Sequence, residues 1–314
     1  MGRVLDKLYL TGLEQIFTSI ALEAAKKFSI STETIHLDSS SFHVHGEYES
    51  AMPQVTLLTS KNNPDDLREK LINEVVVPQP ISITYGYSRD HRPDLKQFIL
   101  DLICSGDNDV PLFLRVADGD EADQATFGQI LCNFKQQLNL DSLMVADSAL
   151  YSASNLDQKI IETETRSAGR FVLATNLLDV EELSNDEMLF KYKEQQSSER
   201  GFSFLKDPLF FTDSVFLKSA ERVSALALLM GLCLLVYTLT QRQLRQTLKS
   251  THSGIKNQLG KLTDNPTLRW IFQCFQSVHL LRVNQAMQIS NLTDERLWIL
   301  RFFPAFCRRY YLLV

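Results

Sequence analysis

Three carboxylates stand out by position. Asp38 falls in a run of alternating β-branched and apolar residues, Asp147 ends the short apolar run Ser142-Leu-Met-Val-Ala-Asp147, and Glu199 lies in a helix-forming segment. Carboxylates that converge from different elements can hold two magnesium or manganese ions about 4 Å apart, one activating the attacking oxygen and one stabilising the leaving oxygen of a phosphodiester. Taken singly, each is more readily read as a solvated surface residue, so the triad needs further support. Around Glu199, Tyr192, Gln195, Glu199 and Lys206 fall at steps of three, four and seven, which puts all four on one helical stripe.

Other chemistry is weaker. His36, His43 and His45 flank Asp38, and His43 and His45 share a strand face, but no fourth zinc ligand is evident and a histidine bonded to a sheet neighbour is commoner. Asp118-Gly-Asp-Glu-Ala-Asp123 resembles part of a calcium loop without its bidentate glutamate, and an acidic helix N-terminus explains it better. Arg89, His91 and Arg92 either touch DNA phosphates or pair with Asp90 and Asp94. The serines at 39, 40 and 41 lack a Gly-x-Ser-x-Gly elbow, and no phosphate-binding Gly-x4-Gly-Lys-Ser/Thr loop occurs, which argues against a serine hydrolase and an ATP-driven machine.

The elements that position these residues follow from periodicity. Leu13, Ile16, Phe17, Ile20, Ala24 and Phe28 predict an amphipathic helix over 12–28. The alternation over 34–48 predicts a hairpin or bent strand pair, and that over 81–87 another strand. A helix is expected over 95–103, a strand over 111–117, a helix around 127–138, a strand over 142–147 and another over 170–175. From Asp186 the pattern is helical almost to the end, broken near Pro208, Gly254, Pro266 and Pro304. Strands interleaved with helices, then a run of helices, describe an α/β sheet with a helical C-terminal portion. Residues 223–240 carry no charge, yet Ser224, Gly231 and Thr238 recur every seven residues, so a central buried helix is expected rather than a membrane span.

Composition is that of a globular protein: 314 residues, 44% apolar and 22% charged, which excludes collagenous and disordered classes. The net charge of −6 is unevenly spread, with 18 Lys+Arg against 32 Asp+Glu in residues 1–200 and 14 against 6 in residues 201–314, a basic last third that suits a polyanion. Five separated cysteines without a Cys-x-x-Cys pair predict buried thiols in a reducing cytoplasm, and the opening residues carry no secretory signal.

The Tyr192, Gln195, Glu199, Lys206 spacing resembles the Y-x2-R-x3-E-x6-K signature of DDE transposases of the insertion-sequence-four superfamily, with Gln195 in place of arginine. His36-Leu-Asp-Ser-Ser-Ser-Phe-His-Val-His-Gly-Glu47 resembles the first-aspartate segment of its sixteen-thirty-four branch. Thr84-Tyr-Gly-Tyr-Ser-Arg-Asp-His-Arg-Pro-Asp-Leu95, Val145-Ala-Asp-Ser-Ala-Leu-Tyr151, Gly169-Arg-Phe-Val-Leu-Ala-Thr-Asn176 and Leu235-Val-Tyr-Thr-Leu239 match further segments in the family's order. The resemblance implies a ribonuclease-H-like mixed sheet flanked by helices, with an N-terminal helical segment at 1–30, a catalytic domain at 31–250 and a C-terminal helical extension at 251–314. It implies Asp38, Asp147 and Glu199 as catalytic ligands of two Mg2+ or Mn2+ ions, and double-stranded DNA, both transposon ends and target, as substrate. DNA contacts are expected from Tyr192, Gln195, Lys206, Arg89 and Arg92, in a cytoplasmic protein that could self-associate. Family members begin with a further N-terminal domain and carry a long insertion between the second aspartate and the glutamate, whereas 51 residues separate Asp147 from Glu199 here. A shortened transposase is therefore expected, and its rival is a catalytically inactive DNA-binding or multimerising remnant.

Overall fold

Gly12 separates the first two helices. Its φ of 94° lies where L side chains rarely go, and it breaks α1 (Gly2–Thr11) from α2 (Leu13–Lys27) in the computed structural model of the chain. The structure describes residues 2–48, 78–87, 91–138, 142–146, 183–193, 196–208 and 217–312. Arg89, Asp147 and Gln195, and the strand expected over 170–175, lie outside these. Phe17, Ala21 and Ala25, at helical spacing, form the buried face of α2, and Lys26 and Lys27 close it where the helix dipole favours cations.

After α2 come β1 (Thr34–Val44), β2 (Lys96–Ser105), β3 (Pro111–Ala117), α3 (Asp123–Leu138), β4 (Leu143–Ala146), α4 (Asn185–Lys193), α5 (Gln196–Leu205) and α6 (Ala220–Ser250). The four strands form one mixed sheet in the order β3-β2-β1-β4, in which β2 is antiparallel to both neighbours and β4 is parallel to β1. The chain is thus of α/β class.

Three expectations need correction. Residues 34–44 form one continuous strand rather than a hairpin, because its partner is β2, with Ile35 opposite Ser105 and Val44 opposite Lys96. Residues 96–105 are that strand, not a helix. Leu100, Leu102, Ile103 and Cys104 are all wholly buried, and a strand covered on both faces shows no alternation to separate it from a buried helix. Among the described residues, 81–87 form an isolated bridge, Thr84 to Gln97, rather than the expected strand. There Gly86 and Gly119 allow close backbone stacking: a Cβ on Gly86 would overlap the Gly119 carbonyl, and one on Gly119 the Gln97 carbonyl. The amide Nε2 of buried Gln97 donates to the Gly119 carbonyl at 2.7 Å.

Both sheet faces are covered. Successive strand residues point to opposite faces, so Phe113 meets Phe134 of α3 edge-on, with ring centroids 5.7 Å apart, while Leu114 meets α6. A Cβ at Gly231 would overlap Leu114 Cδ1 and come within 3.1 Å of Phe17 Cε2. Ser224 and Thr238, the other members of the seven-residue stripe, are 2% and 4% exposed. By length and composition α6 could cross a membrane, and 56% of its most apolar window is buried inside the protein.

The chain divides into two compact units, Met1–Leu234 and Leu235–Val314. Charge divides at the same place: residues 1–234 carry 21 Lys+Arg against 35 Asp+Glu, a net −14, and residues 235–314 carry 11 against 3, a net +8. After the end of α6 the second unit contains β5 (Ile255–Lys256), β6 (Leu262–Thr263), α7 (Leu268–Phe275), β7 (His279–Val283), β8 (Ala286–Ser290), α8 (Asp294–Leu300) and α9 (Ala305–Leu312). Its core is Leu244, Leu248, Ile255, Leu268, Ile271, Ile299 and Phe302. Thr267 and Thr293 cap α7 and α8, accepting from Trp270 N at 3.3 Å and Arg296 N at 3.5 Å. The expected C-terminal helical extension is corrected by two hairpins, β5–β6 and β7–β8, set among its helices. Leu280, Leu281, Val283 and Met287 imitate helical spacing, and the turn pair Asn284-Gln285 is a weaker hairpin signal than Asn-Gly.

The cysteine expectation is also corrected. All five are free thiols, but only Cys104 is buried, and Cys132 and Cys233 are exposed.

Candidate active site

Asp38 sits in the middle of the sheet, 9% exposed, its Oδ1 accepting from the Ser39 backbone at 2.8 Å. Strand alternation puts it on one face with His36, Ser40 and Phe42. Its cross-strand partner is Leu102. On the other side of β1, the last register pair with β4 is Leu37 with Ala146, and Asp147, the next residue in sequence, lies outside the described residues.

Helix α5 lies over this face. Ser198, Gly201, Phe202 and Leu205 are its buried side. The Ser198 hydroxyl donates to the His36 carbonyl at 3.3 Å, and a Cβ on Gly201 would stand 3.5 Å from Leu102 Cδ1. At the far end Lys206 holds its Nζ 5.4 Å from the Phe42 ring, which stacks on Phe98 at 5.5 Å. The helix therefore runs along β1 in the same direction, Ser198 near His36 and Lys206 near Phe42. Glu199, between the buried Ser198 and Gly201, is on the exposed side. Tyr192 is half-buried on α4, so the stripe read as one helix is carried by two described elements, with Gln195 outside both and Lys206 just past the end of α5.

Two groups beside Asp38 are held neutral. His36 is wholly buried, and neither ring nitrogen is hydrogen-bonded among the described residues. Burial lowers its pKa to about 4, against the opposing pull of Asp109 and with help from Lys191 and Arg200. Cys104, directly across from His36, is pushed up by burial.

Arg200, which sequence reasoning missed, anchors α5. Its Nε and one terminal nitrogen each donate to an Asp109 carboxylate oxygen at 2.8 Å, tying the helix to the turn between β2 and β3. On the opposite face Arg115 bridges buried Asp101, at 2.7 Å, and Glu121. Asp118 accepts from the Ser82 backbone at 2.7 Å. Asp118 and Glu121 of the calcium-like segment thus have structural partners. Arg92 is engaged by Asp94 in a two-pronged pair at 2.9 and 2.8 Å, which holds the Asp94 carboxyl down to about 2.

Carboxylate oxygens are the hard donors that Mg2+ and Mn2+ prefer. Asp38 and Glu199 have that chemistry, Asp38 on a strand face and Glu199 on the exposed side of the helix packed over it. Among the described residues no three His, Cys, Asp or Glu side chains meet as a metal site, which includes His36, His43 and His45. Comparisons with family models, curated proteins and solved structures find no match for this chain.

Proposed function

We propose that the chain is a metal-dependent DNA strand transferase of the DDE transposase kind, built on a ribonuclease-H-like sheet. The observation that carries this reading is the register between β1 and β4. The adjacent parallel strands end their register on the pair Leu37 and Ala146, and Asp38 and Asp147 are the residues that follow these two in sequence. The order β3-β2-β1-β4, with β2 antiparallel and β4 parallel to β1, supports it further, as does the packing of the Glu199 helix across the face of β1 that bears Asp38.

In this reading Asp38, Asp147 and Glu199 supply the oxygen donors. The bound divalent ions would activate the attacking oxygen and stabilise the departing one. Water adds to phosphorus as the 3′-oxygen leaves, and the freed 3′-hydroxyl then attacks a phosphodiester of the target strand and displaces that strand's 3′-oxygen, so no protein–DNA adduct forms. Lys206 neutralises a phosphate oxygen, and Tyr192 assists in positioning it. His36 and Cys104, held neutral, add no charge to the site. The activity expected is weak nicking with Mn2+ rather than complete transposition, since Gln195 lacks the charge and forked donors that arginine offers a phosphate.

Mn2+ titration of the purified chain, followed by electron paramagnetic resonance, tests the donor set. Two ions per chain are expected, with Asp38→Asn and Glu199→Gln each weakening uptake at least about tenfold. Uptake unchanged in both variants would remove the proposed site.

A further inference from the structure

The hairpin β7–β8 is solvent-exposed along most of both strands, yet its base is firmly tied. Arg296 of α8 donates to the Cys274 carbonyl at 2.7 Å, to Ser277 Oγ at 2.6 Å and to the Asn291 carbonyl, and Asn291 Nδ2 donates to the Ser277 carbonyl at 2.9 Å. At the tip, Asn284 and Gln285 have φ of 48° and 69°, the pattern of a two-residue I′ turn. A lone two-stranded hairpin is marginally stable in water. This one leaves Leu280, Leu281, Val283 and Met287 between 43% and 56% exposed, so its base, not a core, holds it in place.

The unit it belongs to is cationic. No Asp or Glu occurs between Asp264 and Asp294, and the unit around the hairpin carries +8. Arg282, in the middle of β7, is exposed and makes no hydrogen bond or ion pair among the described residues. By register, Leu280, Arg282, Met287 and Ile289 share one face, and Leu281, Val283 and Gln288 the other.

We propose that this hairpin is a ribbon that docks in the major groove of duplex DNA through the face that carries Arg282, with Arg282 meeting base edges or phosphates and Leu280, Met287 and Ile289 beside it meeting thymine methyls. The major groove, about 12 Å wide, admits a two-stranded ribbon whose strands are about 4.8 Å apart. The charge decides between this partner and a second copy, because self-pairing would bring two units of +8 together. The inference rests on duplex DNA being the substrate, as proposed above, but not on the carboxylate triad.

The test is fluorescence anisotropy of the full chain with a short labelled duplex, at salt from about 50 to 200 mM. Wild type should bind more weakly as salt rises. Arg282→Glu should weaken binding at least about tenfold and flatten the salt dependence, while Arg282→Lys keeps most of the affinity if the contact is to phosphate. Unchanged circular dichroism and melting verify that the variants fold. Equal binding by wild type and Arg282→Glu overturns the hairpin proposal and leaves the strand-transfer reading standing. No binding by either protein overturns both. A loss of self-association in Arg282→Glu, seen by sedimentation without a change in DNA affinity, assigns the hairpin to a second copy and overturns the proposal.

Discussion

Gly201 rests on Leu102, the cross-strand partner of Asp38, and so sets how close the helix bearing Glu199 comes to the sheet. A Cβ at 201 would meet Leu102 Cδ1 at 3.5 Å and Leu234 Cδ2 at 3.3 Å, room for a methyl but not for a longer side chain. Gly201→Ala should keep activity, with a helix-propensity gain of up to about 1 kcal/mol offset by the tight contact. Gly201→Leu should lift α5 and reduce metal-dependent nicking at least about tenfold, because misplacing a ligand by about 1 Å costs rates of that order or more. Nicking assays on the two variants, with melting curves alongside, separate displacement from unfolding.

Gly231 makes the equivalent contact for α6. Leu114 and Phe17, the side chains it faces, are both wholly buried and have little room to yield. Gly231→Val should destabilise the chain by about 1–3 kcal/mol through overpacking, a fall in Tm of several degrees. An unshifted Tm would show that α6 does not lie tightly on β3 and α2.

Stability should also respond to Glu14. Burial holds its carboxyl above the ordinary 4.5, with Arg115 pulling the other way. The folded chain therefore binds this proton more readily than the unfolded chain. Glu14 costs stability at neutral pH, and the cost vanishes as the pH falls through its folded pKa to 4.5. Glu14→Gln should raise Tm by about 1–3 °C near neutrality, and the gap should close in acid. Melts of both proteins across that range check the sign, and a gap that widens in acid contradicts it.

How much of this was legible in the sequence depended on whether each residue's environment was local. β3, α2 and α3 follow from spacing because each has one buried face or a short apolar run between turns. β2 does not, since burial on both faces leaves it without the alternation that marks a strand. Asp38 and Glu199 could be singled out as residue types on suitable elements. Arg200 could not, because its partner Asp109 is 91 residues away and nothing near either position advertises the pair. The exposed hairpin β7–β8 was hidden for a further reason: Leu280, Leu281 and Met287 are apolar residues where solvent, not a core, surrounds them.

The phosphate contact proposed for Lys206 is one that charge alone should sustain. Its ammonium sits over Phe42 at the end of α5, exposed to solvent. Lys206→Ala should weaken duplex binding and reduce the logarithmic salt slope by about one, as loss of one phosphate contact requires, while Lys206→Arg should retain both. A salt slope identical in Lys206→Ala and wild type would place Lys206 away from the DNA backbone.

The central claim is that Asp38, Asp147 and Glu199 act together on a phosphodiester, and conversion of supercoiled plasmid to nicked circles in Mn2+ measures it most directly. Wild type should nick weakly, chelation should stop it, and Asp147→Ala should abolish it, because losing one donor destroys the in-line geometry of a metal pair. Nicking by Asp147→Ala at the wild-type rate, in protein purified to the same standard, would contradict the claim.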